Sequence, residues 1–208
     1  MAIRGIYAIT DSSLTPGDKL LTAVEQALAG GISLLQYRDK TSPRQLRLSQ
    51  AKALLALCAE FDVPLLINDD VQLCLEAGAA GVHLGQSDTN IVSAREQLGQ
   101  DAIIGVTCHA DLELASLAQQ AGASYVAFGR FFPSLTKPEA PPASLDILAE
   151  ARTSLSLPIA AIGGITADNA TEVAAAGADL LAVINYLFAS EDIYQRARKL
   201  NSRFQQAI

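Results

Sequence analysis

The sequence is short of positive charge, of cysteine, of histidine and of long apolar runs. Lys and Arg number 15 against 22 Asp and Glu, which gives a formal net charge of −7 and a pI near 4.8. A chain that tracks a nucleic-acid backbone, or lies on an anionic membrane, carries a basic surplus. Neither partner is expected here, although an acidic total leaves room for a small cationic cluster at one site. The three cysteines, Cys58, Cys74 and Cys108, form no CxxC and no Cys/His metal spacing. Two of them sit among apolar residues, the pattern of buried free thiols in a reducing cytosol. No segment reaches the roughly eighteen consecutive apolar residues of a membrane span. The opening Met-Ala-Ile-Arg-Gly-Ile-Tyr lacks the layout of a signal peptide. A soluble cytoplasmic protein is the expectation, and a homo-oligomer is compatible with it. No Ser-His-Asp or Cys-His arrangement is recognisable, and the first strand is not followed by a G-x-G-x-x-G turn.

Apolar material is plentiful. Half of the 208 residues are hydrophobic, 18% are charged, and mean hydropathy is +0.25. Such a chain has enough for a buried core and is not disordered. The length suits one domain, residues 1–208.

Short apolar runs alternate with longer stretches at helical spacing. The runs are Ile6–Ile9, Ser33–Tyr37, Pro64–Ile67, Gly81–Leu84, Ile103–Thr107, Tyr125–Phe128, Pro158–Ile162 and Leu180–Ile184. They are nearly continuous hydrophobics, which is how parallel strands covered on both faces read. Between them lie Gln45–Phe61, Leu112–Ala121 and Asn169–Ala176, among others. Ala29-Gly30-Gly31, Ala77-Gly78-Ala79, Ala121-Gly122-Ala123 and Ala176-Gly177-Ala178 each end a helical stretch before an even-numbered run. Gly at that place takes the left-handed conformation that closes a helix. The signal recurs about every 50 residues, the length of two βα units. Eight units predict an α/β fold, a (β/α)8 TIM barrel of about 26 residues per unit, with an open doubly wound sheet as the alternative. One long loop, Arg130–Pro142, carries four prolines after the sixth strand.

In such a barrel the chemistry sits at the C-terminal ends of the strands. Polar residues gather there: Thr10-Asp11, Gln36 to Lys40, Asn68-Asp69-Asp70, Gly85 to Asp88, Thr107-Cys108-His109, Ser134 to Lys137, Gly163-Gly164 and Asn185. Arg38, Lys40 and Lys137 form a cationic set suited to phosphate. Residues 38 and 40 lie two apart on extended chain and so share a face. Asp69 and Asp88 are carboxylates from adjacent strand ends. Cations with paired carboxylates suit a pyrophosphate held partly through Mg2+, an ion that takes one or two carboxylates plus phosphate oxygens. Gly163-Gly164 lets the backbone approach a second anion after strand seven, where barrels often bind phosphate. The following Ile165 to Asn169 opens a helix with capping residues. His83 reads as a hydrogen-bonded core histidine. His109 either touches ligand or caps a helix.

These segments resemble the thiamine-phosphate synthase family. The resemblance rests on Tyr7-Ala8-Ile9-Thr10-Asp11, Gln36-Tyr37-Arg38-Asp39-Lys40, Ile67-Asn68-Asp69, Gly81 to Asp88, Pro133-Ser134-Leu135-Thr136-Lys137 and Ala161 to Ile165, in order over nearly the whole chain. It implies a transferase that joins hydroxymethylpyrimidine pyrophosphate to thiazole phosphate and releases pyrophosphate. It implies that Gln36, Arg38, Lys40, Asn68 and Lys137 bind the pyrimidine pyrophosphate, with Thr107 nearby where Ser is usual. It gives Mg2+ to Asp69 and Asp88, and thiazole phosphate to Ser134, Thr136, Gly164, Ile184 and Asn185. Arg38, Lys40 and Lys137 are the expected catalytic charges. Asn185 also replaces a Ser, Asp70 a common Arg, and Arg130 a Pro. A thiazole tautomerase on the same barrel is the nearest alternative, and it is expected to lack part of the pyrophosphate set. A non-catalytic barrel that senses phosphorylated ligands is the other.

Overall fold

The structure is a computed structural model that describes residues 3–88, 90–134 and 141–207. Eight parallel strands close in sequence order into a barrel, β1 through β8, with β1 hydrogen-bonded to β8. They are β1 Gly5–Ile9, β2 Leu34–Tyr37, β3 Leu65–Asn68, β4 Gly81–Leu84, β5 Ile103–His109, β6 Tyr125–Phe128, β7 Ile159–Ile162 and β8 Leu180–Val183. The helices between them are α1 Lys19–Ala29, α2 Arg44–Ala59, α3 Val71–Ala77, α4 Ile91–Leu98, α5 Leu112–Gln120, α6 Asp146–Ser154 and α7 Ala170–Ala175. After β8 come α8 Asn185–Phe188 and α9 Ile193–Gln205. The expected TIM barrel is therefore present. The short α8 was not anticipated: Ile184 leaves the strand and starts that helix.

The apolar runs hide an alternation. In β1, Ile6 and Ala8 join the layer under the helices, while Tyr7 and Ile9 join a separate cluster inside the barrel. That inner cluster continues through Leu34, Leu66, Tyr125, Ala127, Ala160, Leu180 and Ala182. Both faces are apolar because the barrel interior and the helix layer each bury one side. The helices show matching stripes. In α1 the buried residues are Leu20, Ala23, Val24, Ala27 and Leu28, and in α9 they are Ile193, Ala197, Leu200 and Phe204.

The Ala-Gly signals close helices as expected, with one shift. Gly78, Gly122 and Gly177 have φ of 75°, 92° and 122°, but after α1 the left-handed residue is Gly31 rather than Gly30. Asp70, Asn90, Asp111 and Asp192 cap α3, α4, α5 and α9 by accepting from backbone N–H groups. Asn169 does not cap α7. It folds back, accepting from Thr166 N at 2.9 Å and donating to Gly164 O at 3.1 Å, and so braces the loop after β7.

Among the described residues no helix is long and apolar enough to cross a membrane. All three cysteines are free and buried. Burial pushes Cys58 and Cys108 up to about 12 and Cys74 to about 11. Native protein at pH 8 should therefore resist iodoacetamide while urea-unfolded protein reacts at all three positions; rapid labelling of the native state would contradict this. The interior also leaves no room at Gly105, where an added Cβ would lie 1.9 Å from the Tyr125 ring. Gly105→Ala is expected to lower unfolding free energy by about 1–3 kcal/mol through overpacking. An unchanged urea midpoint would show that Tyr125 shifts freely.

Candidate active site

The loops at the C-terminal ends of β1 to β3 carry two ion pairs. Thr10 N continues the ladder to Gln36 O at 2.9 Å, and its buried hydroxyl accepts from Arg38 N at 2.8 Å. That clamp holds the chain just past β2. Arg38 Nη1 then reaches Asp11 Oδ2 at 3.1 Å. Burial raises the Asp11 carboxyl, but the Ser13 hydroxyl and N–H and the Arg38 guanidinium more than offset it, so its pKa lies below the ordinary value. On the other side of β2, Lys40 Nζ lies 3.0 Å from Asp69 Oδ2. The two cations thus fan out to the flanking loops, one toward β1 and one toward β3. Asp11 was read as a strand-end residue and not as part of the site. Its partnership with Arg38 is what the sequence reading missed.

Asp69 sits at φ 62°, in the left-handed region. Burial raises its carboxyl, yet hydrogen bonds from Lys40 and from Asp88 hold it low. Asp88 moves the other way: burial and the neighbouring Asp69 charge raise it, although it accepts from Gly85 N at 2.6 Å. Two neighbouring carboxyls beside an ammonium are a pair that a divalent cation would satisfy. Among the described residues no cluster of three or more His, Cys, Asp or Glu side chains adds to them. The pair fits Mg2+, which needs only one or two carboxylates, better than an ion held by a full protein cage. Asp70, whose role the sequence left open, turns away from this pair. Its side chain accepts from Leu73 N at 2.9 Å and from Arg47 Nη1 at 3.2 Å, so it joins α3 to α2.

Inside the mouth runs a chain of hydrogen bonds. Gln36 Nε2 donates to Tyr7 Oη. The two tyrosine hydroxyls meet at 2.8 Å, and Tyr125 Oη lies 2.8 Å from His83 Nδ1. His83 Nε2 is 2.9 Å from Thr107 Oγ1. Gln86 Nε2 donates to the Thr107 carbonyl. His83 is thus the hydrogen-bonded interior histidine expected of it. His109 is exposed at φ 53° and its carbonyl accepts from Gly129 N, while Asp111 does the capping of α5.

A glycine turn lies across the barrel from β3. Gly163 and Gly164 follow β7 with φ of 105° and 64°. The start of the β6–α6 loop packs on them: Phe131 N bonds Ile162 O, Phe132 N bonds Gly163 O, and an added Cβ at Gly164 would lie 2.5 Å from Pro133 O. Ile184 and Asn185 stand at the adjacent end of β8, which pairs with β7. Asn68 ends β3 and Ser134 lies half-buried in the β6–α6 loop. Thr136 and Lys137 lie outside the described residues.

The family model for thiamine monophosphate synthase matches residues 6–187. The chain belongs to that family. Two relatives, both thiamine-phosphate synthases, are 58% identical over 96% of this chain and 90% of their own (Marinobacter nauticus) and 54% identical over 98% and 94% (Nitrosococcus oceani). The solved thiamine phosphate pyrophosphorylase of Pyrococcus furiosus is 33% identical, with a TM-score of 0.90 over 98% of this chain and 96% of that one. Membership makes the protein an enzyme of the transferase class.

Asp70→Ala should lower unfolding free energy by about 1 kcal/mol, through loss of the α3 cap. Chemical denaturation checks this, and an unchanged midpoint would mean that Arg47 and Asp70 contribute nothing net.

Proposed function

We propose that the protein is a thiamine-phosphate synthase, which transfers hydroxymethylpyrimidine from its pyrophosphate to the nitrogen of thiazole phosphate. The supporting observation is the union of two features at one mouth. A cation-and-carboxylate set lies at β1 to β4, and a glycine-lined backbone cradle lies at β7 and β8. The reading also rests on relatives of that name that match over nearly the full chain. A tautomerase that binds only thiazole phosphate has no use for the first feature.

In this reading the bond between the pyrimidine methylene carbon and the pyrophosphate oxygen breaks. Pyrophosphate leaves with the electron pair. The ring amino group stabilises the methylene cation, and the thiazole nitrogen then forms the C–N bond. Arg38 and Lys40, with Lys137 from the β6–α6 loop, meet the charge that grows on the leaving group. Asp69 and Asp88 hold Mg2+, which when bound adds positive charge at the pyrophosphate. Asp11 keeps Arg38 in place before substrate arrives, and Asp69 does the same for Lys40. Gln36, Asn68 and Thr107 line the pyrimidine side. Ser134, Thr136 and the backbone of Gly164, Ile184 and Asn185 receive the thiazole phosphate. No strong general base is required, which accounts for the missing triad. The buried, unpaired thiols support a cytoplasmic setting.

Purified protein mixed with both phosphorylated substrates and Mg2+ should make thiamine phosphate; folded protein without product would sink this reading. Lys137→Ala and Asp88→Ala should each cut turnover by about 100-fold or more with little change in melting temperature. Asp69→Asn should shift the Mg2+ titration to higher concentration, and an unmoved titration would count against ligation by Asp69.

A further inference from the structure

The buried chain Gln36–Tyr7–Tyr125–His83–Thr107 crosses the barrel from β2 to β5 through β1, β6 and β4. Its ends are two side chains that face the pyrimidine pyrophosphate in the reading above, on which this inference rests. Its middle is three rings in contact. Tyr7 meets Tyr125 edge-on at 5.8 Å between centroids, and His83 stacks on Tyr125 at 5.7 Å. Both tyrosines are essentially fully buried.

A tyrosine hydroxyl has one hydrogen to give, and a neutral imidazole donates at one nitrogen and accepts at the other. The links are therefore not independent. Once one end is fixed, each buried hydroxyl in turn has only one choice that leaves its hydrogen with an acceptor. With Gln36 Nε2 donating to Tyr7, the Tyr7 hydroxyl donates to Tyr125, and Tyr125 donates to His83 Nδ1. His83 then carries its proton on Nε2 and donates to Thr107 Oγ1. With its oxygen accepting from His83, the Thr107 hydroxyl keeps its own hydrogen to donate. This sense presents an acceptor, Gln36 Oε1, at one end and a donor, the Thr107 O–H, at the other. The reverse sense swaps them: an amide N–H at Gln36 and a lone pair at Thr107.

We propose that this chain is a polarity relay, in which Tyr7, Tyr125 and His83 are positioning residues that make recognition of an amino group at Gln36 and of an anion at Thr107 a single event. A ligand with a ring amino group and a phosphate oxygen satisfies both ends of the first sense. A pyrimidine with an oxo group in place of the amino group needs a donor at Gln36, which forces the reverse sense and points a lone pair at the anion. The relay thus rejects the oxo analogue at a point distant from the ring.

The test reads the His83 tautomer directly by 15N NMR. The chain has only two histidines, so a His109→Gln sample assigns the signals. With the aminopyrimidine pyrophosphate bound and thiazole phosphate withheld, His83 should be the neutral Nε2–H form. An Nδ1–H tautomer or an imidazolium in that complex overturns the relay. Calorimetric binding gives a second measure. Wild type should prefer the amino over the oxo pyrimidine pyrophosphate by about 100-fold or more, as sites built around a hydrogen bond do. Tyr7→Phe should cut that preference by about tenfold, and Tyr7→Phe with Tyr125→Phe should cut it no further, because the chain is already severed. An unchanged preference in Tyr7→Phe, or separate additive losses, would mean that the tyrosines only pack. If wild type binds both pyrimidines equally, the relay falls but the synthase reading stands on its turnover assay. If it binds neither, both fall.

Discussion

The pairing of β1 with β8 is the constraint on which everything else depends. It turns eight strand ends that are far apart in sequence into one rim. Without that closure Arg38 and Gly164 are residues of two unrelated loops. With it, the charged loops after β1 to β4 face the glycine cradle after β7 and β8. Closure also removes free sheet edges, so a chain of 208 residues needs no extra layer to protect them. The interior is then a packed core, not a pore, and small side chains such as Gly105, Ala127, Ala160 and Ala182 leave room for the two tyrosines.

Preorganisation at the rim follows from pairing charges before any substrate is present. Arg38 against Asp11 and Lys40 against Asp69 are partly exposed pairs, so each adds little to stability. Their value is positional. They hold two flexible cations at the strand ends, where the proposed reaction would develop anionic charge, and the clamp of Thr10 on the Arg38 backbone N–H fixes the loop itself. The same rim tolerates a net charge of −7, because net charge speaks for the whole surface while Arg38 and Lys40 gather positive charge locally after β2.

Much of this was legible in the sequence. Gly81–Leu84 and Tyr125–Phe128 were delimited as observed, and the other strands differ only at their ends. The boundary errors have local causes. Pro64 and Pro158 precede their strands because they cannot donate to the ladder, and Ile184 is spent on starting α8. Strand order then placed Arg38, Lys40, Asp69, Asp88 and the Gly-Gly turn on one rim. Three things were not legible. The inward parity of Tyr7 and Tyr125 is invisible in runs that are apolar on both faces. The direction of Asp70 depends on Arg47, 23 positions earlier, at the start of α2. Asp11 resembles any polar residue after a strand until β1 and β2 lie side by side.

The central claim is that two anions are bound at opposite sides of this one rim. A crystal structure of the protein with pyrophosphate, Mg2+ and thiamine phosphate tests it most directly. Pyrophosphate should lie against Arg38 and Lys40, with the ion between it and Asp69 and Asp88, and the thiazole phosphate should meet the backbone at Gly164 and Asn185. Either anion bound outside the C-terminal rim, or both on the same side of it, would contradict the account.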